Sequence, residues 1–156
     1  MKGRDNPKQM HAKFPVTVHM FFFRGDQILL SRRARTGYMD GYYSVPAGHL
    51  EGNEPVRLAA VRECREEIGL QIDRGNIAFA GIFHRREGDE RVDFFVHVRE
   101  WHGEPVNAEP EKCDEIRWAD VNDLPANTIP YIRRAVENFQ VGILFEEFGW
   151  DIPGLA

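Results

Sequence analysis

The sequence predicts an α+β fold in which a mixed β-sheet lies between helices. Three observations carry this. Several segments alternate apolar and polar residues at strand period, two segments repeat apolar residues at helical period behind a proline, and the order along the chain is strands, helix, strands, helix.

The elements follow in order. Residues 1–13 form a polar N-terminal segment, expected to fray at its start. Phe14 to Phe23 reads as a strand with Val16, Val18, Met20 and Phe22 on one face and Thr17, His19, Phe21 and Phe23 on the other. Both faces are largely apolar, so this strand is expected to be covered on two sides. Arg24-Gly25-Asp26 is a turn signal, and Gln27 to Ser31 resumes as the second arm of a hairpin. Arg32 to Tyr42 reads as a loop with Gly37 and Gly41, and Tyr43 to Leu50 as extended up to a break at Pro46-Ala47-Gly48. The clearest helix runs from about Pro55 to Ile68, with Asn53 and Glu54 as a polar cap region and Gly69 as its stop. Strands follow at Ile77 to His84, Arg91 to Trp101 and Glu115 to Trp118. Ile129 to Phe139 reads as a second helix, with Pro130 in its first turn and Ile132, Ala135, Val136 and Phe139 as a core stripe. From Val141 onward an irregular apolar tail is expected to pack Phe145, Phe148 and Trp150 over the domain; a partner surface is the alternative.

Length and composition narrow the function classes. A chain of 156 residues fits one domain, here 1–156 with a tail over 141–156. Twenty Lys and Arg against 25 Asp and Glu leave a net charge of −5, which argues against general nucleic-acid binding. Cys64 and Cys113 form no CxxC pair and no zinc-ligand spacing, so neither a disulfide framework nor a zinc ribbon is expected. The apolar stretch Val16 to Phe23 is far short of the ~20 residues of a membrane span. No apolar core of a signal peptide precedes it, so the expected localisation is cytoplasmic, away from membranes.

The first helix carries the chemistry. At about 100° per residue, Glu63, Glu66 and Glu67 share one face, while Ala60, Val61, Cys64 and Ile68 share another that should be buried. A solvated acidic face is the ordinary explanation for such a cluster. Two rules oppose it here. Like charges at i and i+4 repel by a few tenths of a kcal/mol, and carboxylates in the last turn oppose the helix dipole by up to ~1 kcal/mol. Arg62 offsets part of this by pairing with Glu66. Carboxylates gathered against both rules point to a hard cation, Mg2+ with Mn2+ as a possible substitute, and thence to phosphate chemistry. Gly48 gives bare backbone whose carbonyl is another candidate oxygen ligand, and Gly52 permits a turn bringing Glu54 toward the helix; an ordinary loop turn is the competing account of each glycine.

Gly48 to Leu70, GHLEGNEPVRLAAVRECREEIGL, resembles the Nudix box, G-x5-E-x7-R-E-U-x-E-E-x-G-U with U a bulky apolar residue. Cys64 stands at the first U position, and Ala47 where the family often has a second glycine. Tyr43 to Gly48, Trp118-Ala119-Asp120 and Leu124-Pro125 extend the similarity over about residues 14–140. The resemblance implies a Nudix α/β/α sandwich and Mg2+-dependent hydrolysis of a nucleoside diphosphate linked to another moiety. It implies that Glu63 and Glu67 are the principal metal ligands, with Glu66 and the Gly48 carbonyl beside them. Glu54 would support that shell and Arg62 would orient the glutamates. The general base would be Glu63 or a carboxylate in the loop before the late strand, Glu111 being preferred to Glu115. Arg32, Arg33 and Arg35 are candidates for phosphate contact, with solvated loop arginines as the alternative. Tyr42, Tyr43 and Phe83 are candidates for stacking a base, with core or rim roles as the alternative.

Among substrates, the chain lacks the signatures of several subfamilies. Arg85 and Arg86 stand where the ADP-ribose type has a proline, there is no tyrosine between Tyr43 and Tyr131, Leu29-Leu30-Ser31 only partly echoes the coenzyme A pattern, and the SQPWPFPxS run of the NADH type is missing. The expectation is a MutT-like (deoxy)nucleoside triphosphate pyrophosphohydrolase, possible as a homodimer by resemblance alone. The rival classes are a non-catalytic Nudix-fold nucleotide-binding or regulatory module, which a complete box disfavours, and isomerase chemistry, which a core-facing Cys64 disfavours.

Overall fold

A computed structural model describes residues 11–153. The first ten residues of the polar N-terminal segment and residues 154–156 of the tail lie outside the described residues. Among those described, the elements are β1 (Val16–Phe21), β2 (Phe23–Arg24), β3 (Gln27–Arg33), β4 (Tyr43–Ser44), β5 (Ala47–His49), α1 (Val56–Ile68), β6 (Ile77–Glu87), β7 (Asp89–Val98), β8 (Cys113–Asp120), α2 (Pro130–Val141) and β9 (Phe145–Phe148). None of the described helices is long and apolar enough to cross a membrane.

The α+β class holds, but the strands form two sheets and not one. The first is mixed and five-stranded, in the order β5-β1-β7-β6-β9; β1 runs parallel to β7 and β6 parallel to β9. The second centres on β3, which pairs with β2, β4 and β8, all antiparallel. The reason lies at Phe22. The apolar run expected as one strand leaves the first sheet there and re-forms as β2 in the second, where the turn at Gly25-Asp26 closes the hairpin. Arg32 and Arg33, expected in a loop, are the last residues of β3, held by pairing with β8.

The two faces of β1 are covered as the alternation requires. Val18, Met20 and Phe22 pack with Ala59, Ala60, Cys64 and Ile68 of α1. Phe21 packs with Phe95 and with Ile132, Ala135 and Val136 of α2, and Phe139 lies against the same cluster. The ends of α1 differ slightly from expectation. Pro55 is itself the cap residue, with no side-chain capping bond, and the left-handed residue before it is Asn53 (φ 62°) in place of Gly52. Gly69, at φ 68°, ends the helix.

The tail is not irregular. Phe145–Phe148 adds an edge strand beside β6, Phe148 lies parallel to Phe83 at 6.0 Å, and the Trp150 indole N–H donates to the His84 carbonyl at 2.8 Å. Phe145 itself stays exposed. Sequence periodicity missed β9 because a four-residue edge strand with one exposed aromatic has no alternation to detect. Ile132 is fully buried in the α2 interface. Ile132→Ala is expected to cost about 2–5 kcal/mol in urea unfolding, with an unchanged dependence on denaturant concentration.

Candidate active site

β5 and α1 build the acidic end of the site. β5 pairs antiparallel with β1, placing Gly48 opposite Val18. A Cβ added at Gly48 would lie 1.9 Å from Cδ of Glu63, so the glycine is needed for the helix carboxylate to lie against this strand. Glu54 is drawn back to the turn by the Glu51 N–H, which donates to it at 2.9 Å.

Arg62 ties the carboxylates together. Its Nε and Nη2 donate to the two oxygens of Glu54 at 2.7 and 3.0 Å, and Nη2 also reaches the His49 carbonyl at 3.0 Å. Nη1 donates to Glu63 at 2.6 Å and to Glu66 at 3.3 Å. These bonds keep Arg62 charged more firmly than usual, the Glu54 bond foremost, and Arg62 in turn holds Glu54 below the ordinary carboxyl range. Glu63 goes the other way. Burial raises its pKa, outweighing the help from Arg62.

Glu67 is the exception in this set. Among the described residues it makes no ion pair; its one hydrogen-bond partner is the Ala47 N–H, which donates at 2.9 Å. Burial pushes its carboxyl up to about 8, against the opposing pull of that N–H. No three His, Cys, Asp or Glu side chains among the described residues are gathered into a ready-made metal cage. The donor set nonetheless suits a divalent ion. It consists of carboxylate oxygens beside a bare Gly48 backbone, and Glu67 is a partly buried, desolvated carboxyl with no ion-pair partner among the described residues.

These residues line a cleft of about 550 Å³. Glu63, Glu66, Glu67 and Gly48 are at its wall with Arg33, Glu109 and Lys112. A second chamber of about 220 Å³ shares Arg33, Ser44, Ala47 and Glu67 with it and continues to Cys113 and Ile116. Of the three candidate arginines Arg33 is the one that lines the cleft: it donates to the Tyr38 carbonyl at 2.7 Å and to Thr36 Oγ1 at 3.0 Å, and has no carboxylate partner among the described residues. Arg32 lines only the smaller chamber, already paired with Asp114 at 2.7 Å and Glu115 at 3.1 Å. Arg35 is bound to the carbonyls of Glu111 and Pro110 and lines neither space.

Five candidates are corrected, since none of them lines either space. Glu111 is exposed and faces neither space, whereas Glu109, two residues earlier in the same loop, lines both. Glu115 is occupied, accepting from the Tyr43 hydroxyl at 2.7 Å. Phe83 is buried in the aromatic core against Phe95 and Phe148, and Tyr43 is buried as well, so neither is a platform for a base. Tyr42 is exposed and does not line the cleft.

The sequence reading also missed a buried polar array. His19 and Arg85 line the cleft. Arg85 Nε donates to Asp93 Oδ2 at 2.6 Å, and His19 Nε2 lies 3.2 Å from Asp93 Oδ1. Burial alone would raise the Asp93 carboxyl, but His19 and Arg85 together pull it down to about 2. The available signal was a histidine within a largely apolar strand, and its partner Asp93 on the facing strand β7.

Comparison with known proteins gives a consistent picture. The NUDIX domain family model matches residues 13–139. The chain is 34% identical over 119 residues to an NAD-capped RNA hydrolase NudC of Stutzerimonas stutzeri, covering 76% of this chain and 41% of the relative. It is 30% identical over 131 residues to the NudC of Pseudomonas putida KT2440, covering 83% of this chain and 44% of the relative. The chain thus spans less than half the length of these curated relatives. Among solved structures, the MutT NUDIX hydrolase of Burkholderia pseudomallei superposes with a TM-score of 0.74 at 26% identity, covering 81% of this chain and 98% of that one. The E. coli ORF135 protein gives 0.69 at 26% identity, covering 83% and 90%.

The raised Glu67 pKa generates a stability prediction for the metal-free protein. The unfolded carboxyl ionises near 4.5 and the folded one near 8. The stability it contributes is therefore complete below pH 4.5 and is lost as pH rises through 8. Glu67→Gln, which keeps an acceptor for the Ala47 N–H, is expected to melt higher than the parent at pH 8 in chelator, with the gap closing toward pH 4.5. Calorimetry at several pH values checks this.

Proposed function

The chain belongs to the Nudix family, and from that premise we propose that it is a metal-dependent hydrolase cleaving a phosphoanhydride bond in a nucleoside diphosphate derivative, with (deoxy)nucleoside triphosphates as the first-choice substrates. The observation that carries the reading is an acidic set and an arginine without a carboxylate partner in one cleft: Glu63, Glu66 and Glu67 line it together with Arg33. An anionic substrate placed between them needs a cation at the first and finds one at the second.

Glu63, Glu66, Glu67 and the Gly48 carbonyl would hold the metal, Mg2+ or Mn2+. When bound, such an ion neutralises phosphate oxygens and lowers the pKa of a coordinated water. The chain's own residues do the rest. Arg62 fixes Glu63 and Glu66 and presents them in place, while Glu54 fixes Arg62. Arg33 and Lys112 hold phosphate oxygens against the wall. Glu109 faces the cleft from the loop before β8 and is the carboxylate proposed to take the proton of the attacking water. Arg32, tied to Asp114 and Glu115, borders the second chamber in reach of a longer substrate.

A second reading is favoured by the curated relatives, which are named NAD-capped RNA hydrolases. The substrate would then be an NAD-type dinucleotide whose pyrophosphate takes the same place. The missing SQPWPFPxS run and the MutT solved neighbours favour the triphosphate. A non-catalytic nucleotide-binding module is opposed by the intact Glu63, Glu66 and Glu67 set.

A panel of nucleoside triphosphates, NADH and an NAD-capped oligoribonucleotide, assayed with Mg2+ and again with chelator, tests the reading. The expected outcome is nucleoside monophosphate plus pyrophosphate from at least one triphosphate, abolished by chelator. Turnover confined to NAD compounds selects the second reading, and affinity without turnover overturns both. Glu109→Gln is expected to lower kcat by about 10²–10⁴-fold with little change in KM.

A further inference from the structure

We infer that Thr17 and His19 form a hydrogen-bonding floor that reads a donor-bearing edge of the nucleobase of a bound nucleotide; this rests on the nucleotide reading above. Both residues line the cleft. Both are nearly inaccessible, at 6% and 2% exposure. Thr17 Oγ1 and His19 Nδ1 are the two buried side-chain polar atoms among the described residues that have no hydrogen-bond partner. Orphaned polar atoms in a fold interior are costly and rare. Here both occur on one face of one strand, two residues and about 7 Å apart, beneath the same cleft.

Their position relative to the acidic wall is fixed by β-pairing. Thr17 lies opposite His49 and His19 opposite Ala47, flanking the Val18–Gly48 pair. The orphan atoms therefore belong to the strand paired with β5, whose Gly48 backbone is proposed to face the metal.

The chemistry they select follows from how His19 is held. Its ring stacks on Phe95 at 4.8 Å and meets Tyr131 edge-on at 5.6 Å. Nε2 faces Asp93, a carboxylate already ion-paired with Arg85, so Nε2 carries the proton and donates it. That leaves Nδ1 as a lone-pair acceptor only. Burial lowers the His19 pKa, more than the Asp93 interaction raises it, and keeps the second nitrogen unprotonated. The floor thus offers one fixed acceptor and one hydroxyl that donates or accepts. Phosphate oxygens have no hydrogen to give Nδ1, so this floor does not suit phosphate. A nucleobase N–H matches Nδ1, and a second polar group farther round the same base matches the Thr17 hydroxyl.

The test measures binding of AMP, GMP, CMP, UMP and ribose 5-phosphate to the full chain with Mg2+, using the parent, Thr17→Val and His19→Phe. His19→Phe keeps an aromatic ring for stacking, and Asp93 keeps Arg85. The parent is expected to bind at least one nucleotide more tightly than ribose 5-phosphate. Each variant is expected to lose about tenfold in that affinity while ribose 5-phosphate is unchanged. Ligand-free Thr17→Val is expected to melt no lower than the parent, because an unsatisfied hydroxyl has gone; a purely structural threonine would lose stability. Unchanged nucleotide affinity in the variants would mean that water satisfies these atoms, and it overturns the inference. So does an equal loss for ribose 5-phosphate, or a parent indifferent to the base. Should His19→Phe fail to fold, Thr17→Val decides alone. Base-dependent binding without turnover sinks the hydrolase reading only, and turnover with base-indifferent binding sinks this one only.

Discussion

One guanidinium makes the acidic wall possible. Arg62 contacts Glu54, Glu63 and Glu66 together with the His49 carbonyl, so a single half-buried cation spans the turn before α1 and the face of α1 itself. Without it, carboxylates would crowd the later turns of a helix whose dipole already disfavours them. The forked geometry matters as much as the charge, because an ammonium group has no planar array of donors with which to hold three carboxylates at fixed angles. Glu67 lies outside this arrangement. Its one hydrogen-bond donor among the described residues is the Ala47 N–H, and burial holds its carboxyl above the ordinary range.

The cleft lies where the two sheets meet. α1 and its carboxylates are attached to the first sheet through β1 and β5, with Gly48 allowing the close approach of Glu63. Arg33 ends β3 and Glu109 precedes β8, both belonging to the second sheet. The negative wall and its opposing groups therefore come from separate layers. Their spacing depends on the crossing of the chain at Phe22 and again between β4 and β5. A fold with all strands in one sheet has no such junction.

The legible parts of this chain are those encoded by local periodicity or by a dense motif. The amphipathic stripes of α1 and α2, the two-sided burial of β1 and the shared face of Glu63, Glu66 and Glu67 each follow from spacing within a few residues. What escaped depends on distant pairing. The split into two sheets rests on β3 meeting β8 some eighty residues later in sequence. The choice of Glu109 over Glu111 rests on how a turn directs two side chains that are two positions apart. Phe83 reads equally as a platform or a core residue because aromatic residues serve both, and only the packing of Phe95 and Phe148 distinguishes the two uses. His19 was seen as one more residue on a strand face, since its partners Asp93 and Arg85 come from β7 and β6.

β9 has a consequence for how the molecule is assembled. It lies at the outer edge of the five-stranded sheet, alongside β6, and comes from the last described part of the chain. During synthesis the N–H and C=O groups along that flank of β6 have no strand to meet until the residues after Gly142 have left the ribosome. Until then the nascent sheet has an open seam able to pair with another nascent chain, and the closing segment carries its own fastening in the Trp150 indole.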